Sequence, residues 1–235
     1  MVKSMELSRR LQTIAHMVSE GNRLVDIGTD HGYIPIYLIQ NGRISWALAM
    51  DVGKGPLKRA IEHIQAYCLE EKAVCRLSNG FEKYKVGEAD TAVIAGMGGD
   101  LMVKILSEGK DKLPEELILQ PQSEWFKVRQ FLKKHGYFIE KEEMLKEDGK
   151  YYVVVKARKG QGQGEELGTL EEWYGPYLLQ EKHPVLKQYL EEMIRSYEAI
   201  IKKLADSQTD SAKQRKEEIK LQLEQLKGAL AYYEM

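Results

Sequence analysis

Membrane-length apolar runs are missing from this 235-residue chain: nowhere do about 18 apolar residues follow one another, so no segment reads as a transmembrane helix. The first ten residues mix polar and apolar side chains and lack a basic stretch followed by an apolar core, so no signal peptide is expected. Cysteine is scarce. Cys68 and Cys75 stand seven apart with no CxxC pair and no Cys/His cluster, which argues against a disulfide framework and a zinc site; two buried, inert thiols are the expectation. A large excess of charge of one sign is also absent, since 35 Lys+Arg face 36 Asp+Glu. Together these absences predict a soluble, cytoplasmic protein with no membrane and no metal partner. Oligomeric state is left open, with a monomer as the working expectation.

What is present is an ordinary hydrophobic content of 43%, enough for one sizeable core and a smaller appendage. The near-zero net charge hides an asymmetry. Residues 1–159 hold 25 basic and 22 acidic side chains, whereas residues 160–235 hold 10 and 14. Neither balance is extreme, so charge permits a nucleic-acid partner without demanding one.

Residues 23–156 alternate short β-rich runs with amphipathic stretches, the pattern of parallel strands joined by crossover helices. Strands are predicted over Arg23–Gly28, Trp46–Val52, Val74–Asn79, Thr91–Met97, Leu117–Gln122, Phe138–Leu145 and Tyr151–Arg158. Only the polar turn Lys146–Lys150 separates the last two, too little for a crossover helix, so an antiparallel hairpin is expected there. Helices are predicted over Leu7–Ser19, Pro56–Cys68 and Trp125–His135, with Gly136 as a stop. The alternating Gly and Gln of residues 160–164 read as a linker. Beyond it, Leu186, Leu190, Met193, Tyr197, Ile200 and Leu204, then Ile219, Leu223, Leu226, Leu230 and Tyr233, recur at helical steps. Two heptad helices, folded back through the turn formers of 206–211, are expected. The predicted class is therefore α/β: a Rossmann-like seven-stranded sheet over 1–159 and a coiled-coil-like helical hairpin over 160–235.

Chemistry-bearing residues gather at the ends of the first four strands. Leu24-Val25-Asp26-Ile27-Gly28-Thr29-Asp30-His31-Gly32-Tyr33 is an apolar strand running into a carboxylate and glycines ahead of a helix, a nucleotide-binding turn in which glycine admits a ligand to the backbone. It does not match the G-x-G-x-x-G of a pyrophosphate cradle. Asp30 inside it would repel a pyrophosphate but accommodates an amino group and a sulfonium, which favours S-adenosylmethionine over a nicotinamide dinucleotide. Asp51, followed by Val52, falls 23 residues after Gly28, where such folds bind the ribose hydroxyls. Asn79, Gly80 and Phe81 offer an amide and a ring to adenine. Ala95-Gly96-Met97-Gly98-Gly99 ends the fourth strand with glycines that let a second molecule approach, so methyl transfer is expected beside Met97.

Taken with Leu7-Ser8-Arg9-Arg10-Leu11, Gly109-Lys110-Asp111-Lys112-Leu113 and Ile118-Leu119-Gln120-Pro121-Gln122, these segments resemble the bacterial tRNA (adenine-22)-N1-methyltransferase family over nearly the whole chain. The resemblance implies a transferase that uses S-adenosylmethionine to methylate N1 of an adenosine in the D-loop region of tRNA. It implies catalytic roles for Arg10 and Asp30, and cofactor roles for Asp26, Gly28, Asp51, Asn79 and Gly80. Thr29, His31, Gly32, Val52, Phe81, Ala95, Gly96 and Met97 join the expected cofactor site by position. Arg10, Gln120, Pro121 and Gln122 form the expected substrate contact. Asp30 is expected to take the exocyclic amine's proton, with Arg10 orienting it or gripping phosphate. Many other N-methyltransferases carry an Asn/Asp-Pro-Pro-aromatic motif where this chain has Gly96-Met97-Gly98-Gly99, so the acceptor must be held differently. Two other readings stay open on the residues alone: the same domain acting on another RNA, a protein or a small molecule, and an interaction protein that has lost turnover.

Overall fold

A computed structural model describes residues 4–160, 167–204 and 209–234. The chain divides into two compact units, Met1–Gly164 and Glu165–Met235.

The first unit is built on a seven-stranded sheet of order β3-β2-β1-β4-β5-β7-β6. Its strands are β1 (Leu24–Ile27), β2 (Ala47–Asp51), β3 (Ala73–Leu77), β4 (Thr91–Met97), β5 (Glu116–Pro121), β6 (Tyr137–Glu147) and β7 (Lys150–Lys159). The first five run parallel. β7 lies antiparallel to β5, and β6 antiparallel to β7. Each lies within two residues of its expected bounds. β1 is buried along its whole length, as a parallel strand covered on both faces must be. The predicted hairpin closes through Asp148 and Gly149, both with positive φ (49° and 75°), the Asp-Gly signature of a type I′ turn.

α1 (Arg9–Met17) precedes the sheet, and four helices connect its strands: α2 (Tyr33–Gln40), α3 (Lys54–Ala66), α4 (Gly99–Glu108) and α5 (Trp125–Lys134). The Ser8 side chain caps α1 by accepting from the Leu11 amide. α2 buries Ile34, Pro35, Ile36, Leu38 and Ile39, so it is apolar nearly all round and shows no amphipathic period to read. α4 starts inside the glycine run at Gly98-Gly99, which reads locally as a breaker. A fully buried ion pair, Arg129 to Glu142 at 2.8 Å, ties α5 to β6 and so anchors the hairpin.

The boundary between the paired strands β1 and β4, where the strand order reverses direction, is the crevice at which open α/β sheets bind ligands beyond the carboxyl ends of their strands. Every residue considered below lies on or next to that edge.

The second unit comprises α6 (Thr169–Tyr174), α7 (Pro176–Gln180), α8 (Pro184–Lys203) and α9 (Asp210–Ala231). α8 and α9 pack on each other, burying Leu186, Leu190, Ile219, Leu226 and Ala229, and Lys227 meets Glu198 at 2.9 Å across the pair. The short α6 and α7 have too few turns for a period to be seen. Their placement is set by contacts within the unit: Leu170 packs on Gly228, the Tyr232 hydroxyl donates to Glu171 (2.7 Å) and the Tyr233 hydroxyl to the His183 carbonyl (2.9 Å). Most of the expected linker at 160–164 and half of the turn at 206–211 lie outside the described residues.

Candidate active site

The rim has two halves. In the first, β1 to β3 end in turns whose ligand-facing surface is mostly backbone. Gly28 has φ +77°, and its amide and that of Thr29 both donate to the Met50 carbonyl (2.8 and 2.9 Å), which welds the β1 turn to β2. A Cβ at Gly28 would collide with the terminal methyl of Met97, so the glycine lets β4's end close beneath the turn. Asp26 sits just below, 6% exposed. Burial pushes its carboxyl up to about 6; the neighbouring Thr29 hydroxyl works against that rise and the Asp51 carboxylate adds to it. A cationic ligand at this turn would lower it again.

Asp51 at the end of β2 accepts from the Gly53 amide at 2.6 Å, which sets its side-chain direction. Val52 follows with 69% of its surface exposed, an apolar plate beside a carboxylate. Asn79 is exposed in the turn after β3, at a recess also lined by Glu82, Glu108 and Lys112. Phe81 lines the same recess, with its ring 2% exposed, edge-on to Tyr84 at 5.6 Å and packed under Gly109; Val52 is the more exposed apolar side chain on this rim. The Gly109–Leu113 segment supports this turn: Gly109 makes room for the Phe81 ring, and Lys112 Nζ donates to the carbonyls of Phe81 and Glu82 (3.2 and 2.9 Å).

Between β1 and α2 the turn carries Asp30, His31 and Gly32. His31 takes a left-handed backbone (φ +66°), rare for a residue with a side chain. Its ring stacks on Tyr33 and on His63 of α3 (centroids 5.0 and 5.4 Å), and His63 Nδ1 lies 2.9 Å from the His31 carbonyl. Asp30 is 60% exposed and pairs with Arg59 of α3 at 2.8 Å and with His31 Nε2 at 3.4 Å. Among the described residues no hydrogen bond or ion pair links Asp30 to Arg10, contrary to one expectation of how Arg10 acts: the turn aims Asp30 at α3 instead. An exposed pair of this kind is weak, so a ligand group can displace it. Arg59 and His63 carried no signal in the sequence beyond being polar residues on an amphipathic helix.

The second half is assembled from side chains. β4 bulges between Ala95 and Met97 where it pairs with β5, and Gly96, exposed at φ +76°, sits in the bulge. The nearest neighbours of a Cβ placed there would be Arg10 Nη1 (3.8 Å) and Gln122 Nε2 (4.0 Å), so the backbone faces an opening flanked by a guanidinium and an amide. Arg10 Nη1 donates to Gln120 Oε1 at 2.9 Å, and the same oxygen accepts from the Gly96 amide at 3.2 Å. Of the expected substrate residues, Gln120 and Pro121 are buried and only Gln122 is exposed. Gln120 spends its amide within the protein, its Nε2 donating to the Pro121 carbonyl at 3.2 Å, and so holds Arg10 rather than a substrate. Among the described residues no group of three His, Cys, Asp or Glu side chains is placed to hold a metal, and no helix is long and apolar enough to cross a membrane.

The chain was compared with known proteins. A family model described as tRNA (adenine(22)-N(1))-methyltransferase matches residues 24–228. A tRNA (adenine(22)-N(1))-methyltransferase of Bacillus subtilis strain 168 is 37% identical over 240 aligned residues, covering 97% of this chain and 99% of the relative. The crystal structure of the B. subtilis M1A22 tRNA methyltransferase superposes with a TM-score of 0.86 at 35% identity, covering 97% of this chain and all of that one. A Streptococcus pneumoniae putative tRNA (m1A22) methyltransferase, solved in complex with S-adenosyl-L-methionine, superposes with a TM-score of 0.85 at 32% identity, covering 96% of this chain and all of that one.

Proposed function

The chain belongs to the tRNA (adenine(22)-N(1))-methyltransferase family, and from that membership we propose how its rim divides the work of the reaction. It is an S-adenosylmethionine-dependent enzyme that methylates N1 of adenine 22 in tRNA. The observation that carries the assignment of the site is the convergence of four strand ends at the sheet's reversal point, with Gly28 packed directly over Met97.

The first half fits the methyl donor. Gly28, Thr29, His31 and Gly32 form the turn that receives its amino-acid end, and Asp26 beneath supplies negative charge. Asp51 accepts from the ribose hydroxyls. Asn79 and Gly80 hold the edge of its adenine, with Val52 against the face. When bound, the donor supplies an electrophilic methyl group on a sulfonium centre. Ala95, Gly96 and Met97 border the place where that methyl meets the acceptor.

The acceptor N1 has an in-plane lone pair, so the enzyme's main task is alignment. Holding the two reactants in line at near-attack distance is worth several kcal/mol, roughly 7–11 at the upper limit. N1 lies on the pairing edge of the base, so the nucleotide is extruded into the opening at Gly96. Arg10 and Gln122 flank it there, and Asp30 gives up its Arg59 partner to accept from the exocyclic amine. A tRNA substrate supports a cytoplasmic setting. The helical unit braces tRNA.

The test is to incubate deproteinised tRNA with the purified protein and labelled S-adenosylmethionine and to map the product by nucleoside mass spectrometry. 1-Methyladenosine at position 22, lost when that adenine is replaced, is the expected result. Label in protein alone, or in another nucleoside, would overturn the reading.

A further inference from the structure

Arg10 stands on the first turn of α1, yet everything that holds its side chain lies more than a hundred residues away. Gln120 Oε1 of β5 accepts from Nη1 at 2.9 Å. The Tyr152 ring of β7 faces the guanidinium carbon at 5.4 Å, within range of a cation–π contact. Glu147, beside the hairpin turn, accepts from the Arg10 backbone amide at 3.3 Å. Among the described residues only one of the five guanidinium donors is used, and the group sits at the mouth of the Gly96 bulge. A half-buried cation with its donors unspent is arranged for a ligand.

Tyr152 has no other polar task. Its hydroxyl makes no hydrogen bond among the described residues, and the strand places it opposite Leu145, with the ring packed at the edge of the core that includes Leu145 and Val154. β7 pairs with β5 only as far as Leu119 with Val155, so Tyr152 lies where the hairpin runs on towards its turn, beyond that register and level with the rim.

We propose that Tyr152 is a positioning residue for methyl transfer, its ring holding the Arg10 guanidinium flat against the Gly96 opening where the target adenine is received. This rests on the functional reading above and adds the residue that aims the cation. The ring is what matters, and the hydroxyl is dispensable. The hairpin tip and the N-terminus of α1 act together through this contact, so changes in one are felt through the other.

A double-mutant cycle in the full-length protein tests it, with kcat and KM for tRNA, calorimetric Kd for S-adenosylmethionine and thermal midpoint measured for Arg10→Ala, Tyr152→Leu, Tyr152→Phe and the Arg10→Ala/Tyr152→Leu pair. Arg10→Ala is expected to lower kcat/KM for tRNA about 100-fold, the range of a lost charge-assisted hydrogen bond. Tyr152→Leu should lower it about tenfold, with cofactor Kd within about twofold of the parent, and Tyr152→Phe should restore it to within about twofold. The double variant should be no worse than Arg10→Ala alone. Losses that multiply, a Phe variant as poor as Leu, an equal loss of cofactor affinity, or a harmless Arg10→Ala would each overturn the proposal while leaving the parent's methylation intact. Failure of the unsubstituted protein to methylate tRNA would instead sink the functional reading, and this proposal with it.

Discussion

The two halves of the rim are made from different materials. On the cofactor side, each turn follows its strand directly: Asp26 and Gly28 end β1, Asp51 ends β2, and Asn79 follows β3. On the acceptor side, Arg10 meets Gln120 across 110 residues of chain and Glu147 across 137. Backbone at strand ends is rigid and cheap to place, which suits a ligand of constant shape. Side chains gathered from α1, β5 and the β6–β7 hairpin can be rearranged by substitution without disturbing the sheet, which suits the half that must distinguish one nucleotide from another. On this division, substitutions in one half are expected to change the binding of one ligand and leave the other.

That separation can be broken or sharpened by experiment. The largest effect is expected from Gly28→Ala, which puts a Cβ into Met97 and a side chain on a left-handed backbone. Strain and overpacking together cost roughly 2–6 kcal/mol, so cofactor Kd should weaken by about 10²-fold or more in calorimetry. Ordinary cofactor binding by this variant would refute the backbone account. Next, Asp30→Asn should slow single-turnover methylation about 100-fold with cofactor Kd little changed, because the carboxylate serves the acceptor. A full rate in rapid-quench measurements would remove Asp30 from the chemistry.

A smaller effect is expected from pH. The Asp26 carboxyl is raised to about 6, so its ionised form is depleted as pH falls through 6, and a cationic donor binds the ionised form. Cofactor affinity should therefore drop about tenfold between pH 8 and pH 5, and Asp26→Asn should flatten that profile. The sign for the ligand-free protein is opposite: a carboxyl raised in the fold contributes stability at low pH and loses it as pH rises through about 6. Gln122→Ala should raise KM for tRNA by about two- to tenfold and leave cofactor Kd alone, the loss of one exposed amide contact. Smallest of all, reversing Lys213, Lys216 and Lys220 of α9 to Glu should weaken tRNA binding a fewfold at low salt, the difference shrinking as salt is raised. Equal losses of tRNA and cofactor affinity would assign the helical unit to folding instead.

The turns proposed for the donor were read from the amino-acid order because the signals that mark them are local. A carboxylate at a strand end followed by glycines declares itself within ten residues, and the spacing to Asp51 repeats the sheet's own period. Phe81 marks the limit of such signals: its position beside the turn is read from the sequence, but only Gly109, some thirty residues on, shows how its ring packs beneath the recess. Gln120 fails for a similar reason. An amide at a strand's ligand edge looks available until Arg10 and the Gly96 amide are seen to occupy its oxygen. α4 escaped notice because a helix beginning in glycines has no side-chain cap, and α2, expected after the Gly32 turn, showed no period that could fix its bounds because it is apolar nearly all round.

The order of residues by itself determined the α/β alternation, the seven strands and their hairpin finish, and the carboxylates and glycines that stand at the strand ends, since each follows from patterning and backbone preference over a few neighbours. Only the tertiary structure decided which side chains gather at the Gly96 bulge, that Asp30 meets Arg59 rather than Arg10, and that Tyr152 lies under Arg10. Those outcomes depend on packing between segments far apart in the chain, where the contact is set by the register of strands and helices on a common sheet and leaves no trace in either segment alone.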